Sequence, residues 1–318
     1  MGEFDLIDRF FKRPTRRNAL GIGDDCALLS PAVGMQLAVS SDMLVEGRHF
    51  LPTIDPFRLG HKALAVNLSD LAACGAKPLA FTLALALPRA EEAWLEPFSR
   101  GLLALADAHD CELVGGDTTR GPLTICITVF GEVPQGQALL RSGARAGDDL
   151  YVSGTLGQAR LALEVFRGTL SLPAEVFEAA RVRMEQPTPR VALGMALRGI
   201  ATSAIDISDG LLGDLGHILC LSSAGALIDT ESAASLLSAD TLDADRRLEY
   251  VLAGGDDYEL AFTAPAAKRE AVMSAAANSG TAVRRVGQIE AAHGIRLVDG
   301  TGRAIERRYA SFDHFASP

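Results

Sequence analysis

The sequence predicts a mixed α/β fold built from two α/β domains. Three observations support this prediction: strand-like runs rich in apolar and β-branched residues, amphipathic helical stretches between them, and a glycine-rich, charged interruption near the middle of the chain. The chain has 318 residues, of which 48% are hydrophobic. That length and composition allow two buried cores.

The first domain is predicted over residues 1–137. Apolar residues at spacings of three to four predict helices over 56–74 and 91–109, and the second begins with acidic residues that suit a helix N-terminus. Strands are predicted at 35–42, 79–87, 111–114 and 123–133. Residues 134–149, which are rich in glycine and charge, mark the domain boundary.

The second domain, residues 138–318, repeats the alternation of strands and helices. DDLYVSG predicts a strand entering a glycine turn, and ATSAIDISDG predicts a strand that leads into the amphipathic helix LLGDLGHILCLSS. Later strands are predicted at YELAFTAP and TAVRRVGQI, with an ordinary helix at AAKREAVMSAAA between them.

The charge balance argues against one class of partner. The chain carries 40 acidic and 30 basic residues, a net charge of −10. Broad contact with a nucleic-acid backbone needs clustered lysine and arginine, so we expect no nucleic acid. The acidic excess has two interpretations, solubility alone or carboxylates gathered around metal ions. The positions of the aspartates therefore matter more than their number.

The cysteines and the N-terminus predict a cytoplasmic protein. The five cysteines are scattered and have neither a CxxC pair nor zinc-site spacing: Cys26, Cys74, Cys111, Cys126 and Cys220. The opening MGEFDLIDRFFKR contains no continuous apolar segment, and no later run approaches the ~18 apolar residues of a membrane-spanning helix. We therefore expect neither export nor membrane insertion.

Familiar nucleotide-binding signatures are missing from the sequence. GDTTRGPL has two glycines of a Walker A loop but places Pro122 and Leu123 where lysine and serine or threonine belong. GIGDDC lacks the third glycine of a dinucleotide fingerprint, and neither protein-kinase loop motif occurs. A bound ATP would therefore need another architecture.

Aspartates recur where a predicted strand or apolar run ends in a turn: Asp24, Asp25, Asp42, Asp70, Asp117, Asp206, Asp209, Asp256 and Asp257. For any one of them the simpler interpretation is a turn or helix-capping residue, and Asp209 could cap the helix beginning at Gly210. The repeated form favours a shared site, because ligands of open α/β sheets bind at strand ends. Neighbouring glycines such as Gly116 and Gly255 would let the backbone approach phosphate oxygens.

Seven motifs together resemble one known family, the thiamine-monophosphate kinases, of the superfamily that includes aminoimidazole ribonucleotide synthetase and selenophosphate synthetase. The resemblance runs from GEFDLI to FDHF and rests on GIGDDCALL, SSDMLVEGRHF, KALAVNLSDLAACGA, VGGDTTRG, RSGARAGD, IDISDGL and GGDDYEL. It implies ATP-dependent, Mg²⁺-assisted phosphorylation of thiamine monophosphate to thiamine diphosphate, the final step of thiamine diphosphate biosynthesis. It also implies an N-terminal ATP- and Mg²⁺-binding domain whose strands form a barrel in a homodimer, followed by a C-terminal α/β domain.

The same resemblance implies roles for individual residues. Several Mg²⁺ ions would be bound by Asp25, Ser40, Ser41, Asp42, Asp70, Asp117, Asp206 and Asp209. ATP would contact Gly116, Asp117, Arg141 and Ser208, and thiamine monophosphate would contact His49, Asp256 and Tyr309. No covalent nucleophile is expected, because phosphoryl transfer needs mainly positioning and charge neutralisation.

Two positions depart from the family pattern. Asp256 stands where glutamate is common, and Tyr309 stands where tryptophan is frequent, so a changed acceptor within the same reaction class stays open. Tyr309, Phe312 and Phe315 either cover the substrate rings or attach the terminal stretch to its domain. Two other functions also stay open: another ATP-dependent synthetase of the superfamily, and a non-catalytic nucleotide-binding regulator. The intact aspartates argue against the regulator.

Overall fold

The structure is a computed structural model that describes residues 2–16, 20–23, 25–239, 242–307 and 309. The chain divides into two compact units. Unit 1 comprises Met1–Leu71 and Ala76–Gly136, and unit 2 comprises Ala72–Gly75 and Gln137–Pro318. Helices and a β-sheet occur in each unit, which confirms the predicted mixed α/β class. The predicted domains, an ATP- and Mg²⁺-binding dimerisation domain at 1–137 and a C-terminal α/β domain at 138–318, stay a prediction.

Unit 1 is built from a four-stranded sheet and the helices that connect its strands. In chain order its elements are α1 (Glu3–Phe10), β1 (Met35–Val45), α2 (Pro56–Ala73), β2 (Lys77–Leu87), α3 (Glu92–Ala108), β3 (Glu112–Arg120) and β4 (Thr124–Pro134). The strand order is β1-β4-β2-β3, and β2 and β3 form the parallel pair. A parallel pair needs a long crossover, which α3 provides.

One face of this sheet is buried and the other is open. Alternate residues of β4, including Ile125, Ile127 and Val129, are buried with the apolar residues of α2 and α3. The two helices touch backbone to backbone, because a Cβ added at Gly60 would lie 2.1 Å from the Phe98 carbonyl oxygen.

The open face is apolar along β1, the strand at one edge of the sheet. Leu37, Val39 and Met43 are 43%, 56% and 54% exposed, although all three are large hydrophobic residues. Apolar side chains in a row on one exposed sheet face are typical of a surface that another protein covers.

Unit 2 is built from a six-stranded sheet with helices around it. In chain order its elements are β5 (Asp148–Ser153), α4 (Gln158–Phe166), α5 (Ala174–Glu185), α6 (Val191–Ala196), β6 (Ser203–Asp206), α7 (Leu211–Ser222), β7 (Gly225–Asp229), α8 (Thr230–Ala234), α9 (Ala244–Ala253), β8 (Leu260–Pro265), α10 (Arg269–Asn278), β9 (Val283–Glu290) and β10 (Gly294–Val298). The strand order is β10-β7-β9-β5-β8-β6. All six residues of β5 are buried, as expected for a central strand covered on both faces.

The strand-end interpretation of the aspartates is wrong for three of them. β3 does not stop at residue 114 but continues through Asp117 to Arg120, and β1 continues past Asp42 to Val45. Asp70 lies within α2. The extension of β3 has a physical basis, since its two β-branched threonines after Asp117 favour an extended backbone. Asp206 does end a strand.

No helix in the described part of the chain is long and apolar enough to cross a membrane.

Candidate active site

Unit 1 brings Ser40, Asp42 and Asp70 together where β1 packs against α2. Ser40 and Asp42 share one face of β1, because side chains alternate along a strand. The Ser40 hydroxyl donates a 2.6 Å hydrogen bond to Asp70 Oδ2. Asn67, three residues before Asp70 on α2, accepts a 3.1 Å hydrogen bond from the backbone N–H of Asp42 through its Oδ1. Three predicted Mg²⁺ ligands thus form one oxygen-rich cluster.

The electrostatics of this cluster suit a cation. Burial, and then the nearby Asp70 carboxylate, raises the pKa of Asp42 from 3.8 to about 6. A divalent cation would offset both effects, because it attracts both carboxylates. Carboxylate and hydroxyl oxygens are also the hard donors that Mg²⁺ prefers. The residues present therefore fit Mg²⁺.

Ser41 lies on the other face of β1. Its hydroxyl donates a 3.1 Å hydrogen bond to the Ile127 carbonyl oxygen and lies 3.0 Å from Thr128 Oγ1, both on β4. Within one protomer the structure therefore separates the Ser41 side chain from Ser40 and Asp42. The role of Ser41 as a Mg²⁺ ligand stays a prediction.

Asp117 lies at the opposite edge of the sheet from Asp42. It pairs with Ala84 of β2, which pairs in turn with Cys126 of β4, and Cys126 pairs with Met43 of β1. Three strand spacings separate β3 from β1, a distance of roughly 14 Å. The backbone N–H of Thr118 donates a 2.9 Å hydrogen bond to Asp117 Oδ1. The protomer does not place Asp117 beside the Asp42 cluster.

Gly116 is explained by strand packing. It has φ 145°, and an added Cβ would lie 1.9 Å from the Leu83 carbonyl oxygen on β2. Strand packing alone therefore explains why a glycine stands here, without the predicted approach of the backbone to a phosphate. Its contact with ATP stays a prediction.

The remaining candidates of unit 1 are Asp25 and His49. Asp25 is exposed in a segment whose ends meet at a bridge between Leu20 and Leu28, and Asp24 lies outside the described residues. His49 Nδ1 accepts a 3.0 Å hydrogen bond from the backbone N–H of Val45. A neutral imidazole with an accepting Nδ1 carries its proton on Nε2, so its contact with thiamine monophosphate stays a prediction.

In unit 2, Asp206, Ser208 and Asp209 lie on the connection between β6 and α7. Asp206 is the last residue of β6 and is buried, whereas Ser208 and Asp209 are partly exposed. The N-cap residue of α7 is Gly210, so the interpretation of Asp209 as that cap is wrong. The structure thus gathers three predicted site residues on one short loop.

The backbone of this loop is held by Asp214, a buried residue in the first turn of α7. Its Oδ2 accepts hydrogen bonds of 3.0, 3.0 and 3.1 Å from the N–H groups of Ser208, Asp209 and Gly210. Burial raises the pKa of Asp214 to about 7, and the N–H groups act in the opposite direction.

Asp256 lies on a second loop that is bonded to the first. Its N–H donates a 2.7 Å hydrogen bond to the Ser208 carbonyl oxygen, and the N–H of Tyr258 donates to the Ile207 carbonyl oxygen at 2.9 Å. Asp256 and Tyr258 have φ values of 61° and 52°, a left-handed conformation that is uncommon outside glycine. Such strained residues cluster at functional sites. These bonds place Asp256 beside Ser208.

The last two candidates, Arg141 and Tyr309, also belong to unit 2. Arg141 is exposed, and the Ser222 hydroxyl donates to its carbonyl oxygen at 3.4 Å. Tyr309 packs against the core of unit 2, and the guanidinium of Arg307 lies 5.3 Å from its ring centre. Phe312 and Phe315 lie outside the described residues. The contacts of Tyr309 match the attachment of the terminal stretch to its domain.

Protein side chains alone do not complete a metal site in the described part of the chain. No group of three or more histidine, cysteine, aspartate or glutamate residues there is arranged to hold a metal ion. Mg²⁺ commonly takes one or two carboxylates together with substrate phosphates and water. A pair such as Asp42 and Asp70 is consistent with that mode.

Sequence reasoning missed two residues that organise the site, Asn67 and Asp214. Asn67 stands three residues before Asp70, a helical spacing that places both on the same side of α2. Asp214 stands in the first helical turn after IDISDG, where a carboxylate is favoured by the helix dipole. Both signals were present in the sequence, but each is too common to identify a site.

A segment in the N-terminal half of the chain matches a family model. Residues 23–133 match the model described as AIR synthase related protein, N-terminal domain. This segment contains β1 to β3 and nearly all of β4.

Relatives and solved structures match nearly the whole chain. The thiamine-monophosphate kinase of Salmonella typhimurium is 46% identical over 100% of this chain and 99% of its own. The crystal structure of thiamine-monophosphate kinase from Stenotrophomonas maltophilia is 46% identical and has a TM-score of 0.83, with 91% and 92% of the two chains covered. A structure described as AaThiL complexed with AMPPCP and TMP is 29% identical, with a TM-score of 0.76 and 90% and 89% covered.

Proposed function

Because the chain belongs to the thiamine-monophosphate kinase family, its reaction is the ATP-dependent phosphorylation of thiamine monophosphate, and we propose that the phosphoryl group passes directly between the substrates with the assistance of several Mg²⁺ ions. The observation that best supports the Mg²⁺ requirement is the cluster of Ser40, Asp42 and Asp70, in which a partly buried carboxylate lies beside another carboxylate.

The chemistry of the substrates explains the need for cations. A phosphate monoester carries about −1.5 to −2 charges at neutral pH, and it must approach the polyphosphate of ATP. Bound Mg²⁺ would neutralise this charge and so allow the two phosphate groups to approach each other. We propose the following ligands: Asp25, Ser40, Ser41, Asp42, Asp70, Asp117, Asp206 and Asp209.

The protein's own groups hold the two substrates in line. We propose that Gly116, Asp117, Arg141 and Ser208 bind ATP, and that His49, Asp256 and Tyr309 bind thiamine monophosphate. An oxygen of the acceptor phosphate forms a bond to the γ-phosphorus while the bond from that phosphorus to the bridging oxygen breaks, and ADP leaves. No side chain is needed as a nucleophile, because alignment and charge neutralisation lower most of the barrier.

Rapid quench with ATP labelled at the γ-phosphate tests direct transfer. We expect label to pass from ATP to thiamine diphosphate with none on the protein at any time. ADP release without thiamine monophosphate serves as the control for idle hydrolysis. A protein-bound phosphate that forms and decays as fast as turnover would contradict the proposal.

We also propose that the protein is a cytoplasmic homodimer joined through the open face of the unit 1 sheet. The support is the exposed apolar row on β1, whose burial by a second copy would remove Leu37, Val39 and Met43 from water. Val39→Asp should dissociate the dimer in sedimentation velocity. Met273→Asp, at an exposed hydrophobic position on α10, is the matched control and should leave the sedimentation coefficient unchanged. A wild-type monomer, or a dimeric Val39→Asp variant, would contradict this assignment.

A further inference from the structure

The loop that leads into α7 is held by a carboxylate of the helix itself. α7 begins at Leu211, so the N–H groups of Ser208 and Asp209 precede the helix and are not donors of its first turn. Here the N–H groups of Ser208, Asp209 and Gly210 all point to one oxygen, Oδ2 of Asp214, at 3.0 to 3.1 Å. Asp214 is only 3% exposed, so this carboxylate belongs to the interior of unit 2.

Asp214 therefore occupies three backbone donors of the loop before α7. The oxygen donors that this loop can offer are the partly exposed side chains of Ser208 and Asp209, next to the buried carboxylate of Asp206. Carboxylate and hydroxyl oxygens attract cations rather than anions.

The loop conformation depends on several bonds that act together. Gly210 has φ 111°, and an added Cβ would lie 3.0 Å from the backbone of Ala253, so the turn fits closely against α9. The carbonyl oxygen of Ser208 accepts from the Asp256 N–H at 2.7 Å. Asp214 holds the N–H side of the same peptide segment, so both sides of the loop backbone are fixed.

We propose that Asp214 is a positioning residue that fixes Asp206, Ser208 and Asp209 for Mg²⁺ and nucleotide by occupying the N–H groups of their own loop. The inference rests on the proposed function, because it takes those three residues as ligands. Asp214 itself is buried beneath the loop and is not proposed to touch metal or substrate.

The test measures Mg²⁺ binding by calorimetry in the presence of a non-hydrolysable ATP analogue, together with turnover and melting temperature. Asp214→Ala removes the acceptor and should weaken Mg²⁺ binding by roughly tenfold, the lower range for loss of a group that orients a metal ligand. Asp214→Asn keeps one acceptor oxygen and should restore most of the binding. A purely structural role would lower the melting temperature of both variants without changing Mg²⁺ affinity.

Asp299 provides a matched control. Its Oδ1 accepts hydrogen bonds from the N–H of Thr301 at 2.9 Å, the hydroxyl of Thr301 at 2.7 Å and the N–H of Arg303 at 2.9 Å. Asp299→Ala therefore also removes three hydrogen bonds from a loop of unit 2, but that loop carries no proposed ligand. We expect its Mg²⁺ affinity to stay within twofold of the wild type.

Asp209→Asn separates failure of this inference from failure of the proposed function. If Asp209→Asn weakens Mg²⁺ binding and Asp214→Ala does not, the positioning role is overturned. If neither variant changes Mg²⁺ binding, the ligand assignment of the loop fails and the positioning role falls with it. Should Asp214→Ala not fold, Asp214→Glu tests the same point, because it keeps the charge but displaces the oxygen. A folded Asp214→Glu variant with wild-type Mg²⁺ affinity would also overturn the role.

Discussion

Asp42 in unit 1 is partly buried and Asp214 in unit 2 is buried, and the two carboxylates have different partners. Asp42 lies near a second carboxylate, Asp70, whereas Asp214 accepts three backbone N–H groups. Burial raises the pKa of both, to about 6 for Asp42 and about 7 for Asp214.

The difference shows two uses of a carboxylate with restricted access to water. Backbone donors offset part of the cost of burying Asp214, whose pKa is still raised by burial and by the Asp209 carboxylate, so this residue organises structure. The cost of partly burying Asp42 is increased by its neighbour, and a bound cation would offset it. A partly exposed acid beside another acid is therefore a better candidate for direct metal contact than a fully buried acid held by backbone donors.

The largest expected effect comes from Asp42→Asn. Loss of a direct ligand should lower turnover by roughly 100-fold or more. Loss of a residue that only orients a metal ligand already costs up to about 100-fold. Folding should not suffer, because the substitution removes a repelling charge. Steady-state kinetics at varied Mg²⁺ and a melting curve measure both quantities. Asp55→Asn, which alters a carboxylate that accepts hydrogen bonds at the other end of α2, is the control. Near-normal turnover of the Asp42→Asn variant would show that Asp42 is not a direct metal ligand.

The pH dependence of stability sharpens the same distinction. The folded protein holds a proton on Asp42 up to about pH 6, whereas the unfolded chain releases it near pH 3.8. Stability from this group is therefore greatest below pH 4 and falls as pH rises through 6, by roughly 3 kcal/mol in total.

Metal-free melting curves between pH 4 and 7.5 measure this change. Asp42→Asn should match the wild type near pH 4 and melt at a higher temperature at pH 7. Added Mg²⁺ should remove the difference, because it binds the ionised carboxylate. Parallel curves at all pH values would show that Asp42 is not destabilised by burial.

A smaller loss is expected for Asp209→Asn in unit 2. An amide keeps one oxygen and loses the charge, so turnover should fall by roughly tenfold at limiting Mg²⁺ and recover in part at high Mg²⁺. Asp229→Asn is the matched control, since Asp229 accepts a 2.9 Å hydrogen bond from the Ser232 N–H at the start of α8. An equal loss of turnover in Asp209→Asn and Asp229→Asn would show that Asp209 has only a structural role.

The smallest effect is expected for Tyr309→Ala. A ring facing the thiazolium cation contributes roughly 0.5 to 2 kcal/mol, so the KM for thiamine monophosphate should rise severalfold with little change in the KM for ATP. The structure also supports a purely structural role, because Tyr309 packs against the core of unit 2 and its ring contacts the Arg307 guanidinium. An equal rise in both KM values with a lower Tm would assign Tyr309 to structure alone.

Much of the fold was predictable from local sequence pattern. The predicted helices 56–74 and 91–109 correspond to α2 and α3, whose long amphipathic spacing is a strong signal. The prediction omitted α1, α4 to α6, α8, α9, β7 and β10. Most of these are short elements that tertiary packing stabilises more than local pattern does, and so they give a weak signal.

The site was less predictable than the fold. The residue types were identified because aspartate and glycine recur in short motifs, but the partners of each aspartate depend on strand register. The contact of Ser40 with Asp70 joins residues 30 positions apart, and the separation of Asp42 from Asp117 follows from strand order. Neither can be read from one sequence without the pairing of the strands.

The alternation along β1 also limits how this segment can change in length. Ser40 and Asp42 point toward α2, while Ser41 and Met43 lie on the open face. A single inserted or deleted residue shortly before Ser40 would exchange the two faces, turning the acid outward and methionine inward. Substitutions can alter either face separately, but a change in length alters both at once. Insertions are therefore tolerable in the loops on either side of Met35–Val45. Within this strand, only an insertion of two residues keeps each side chain on its face.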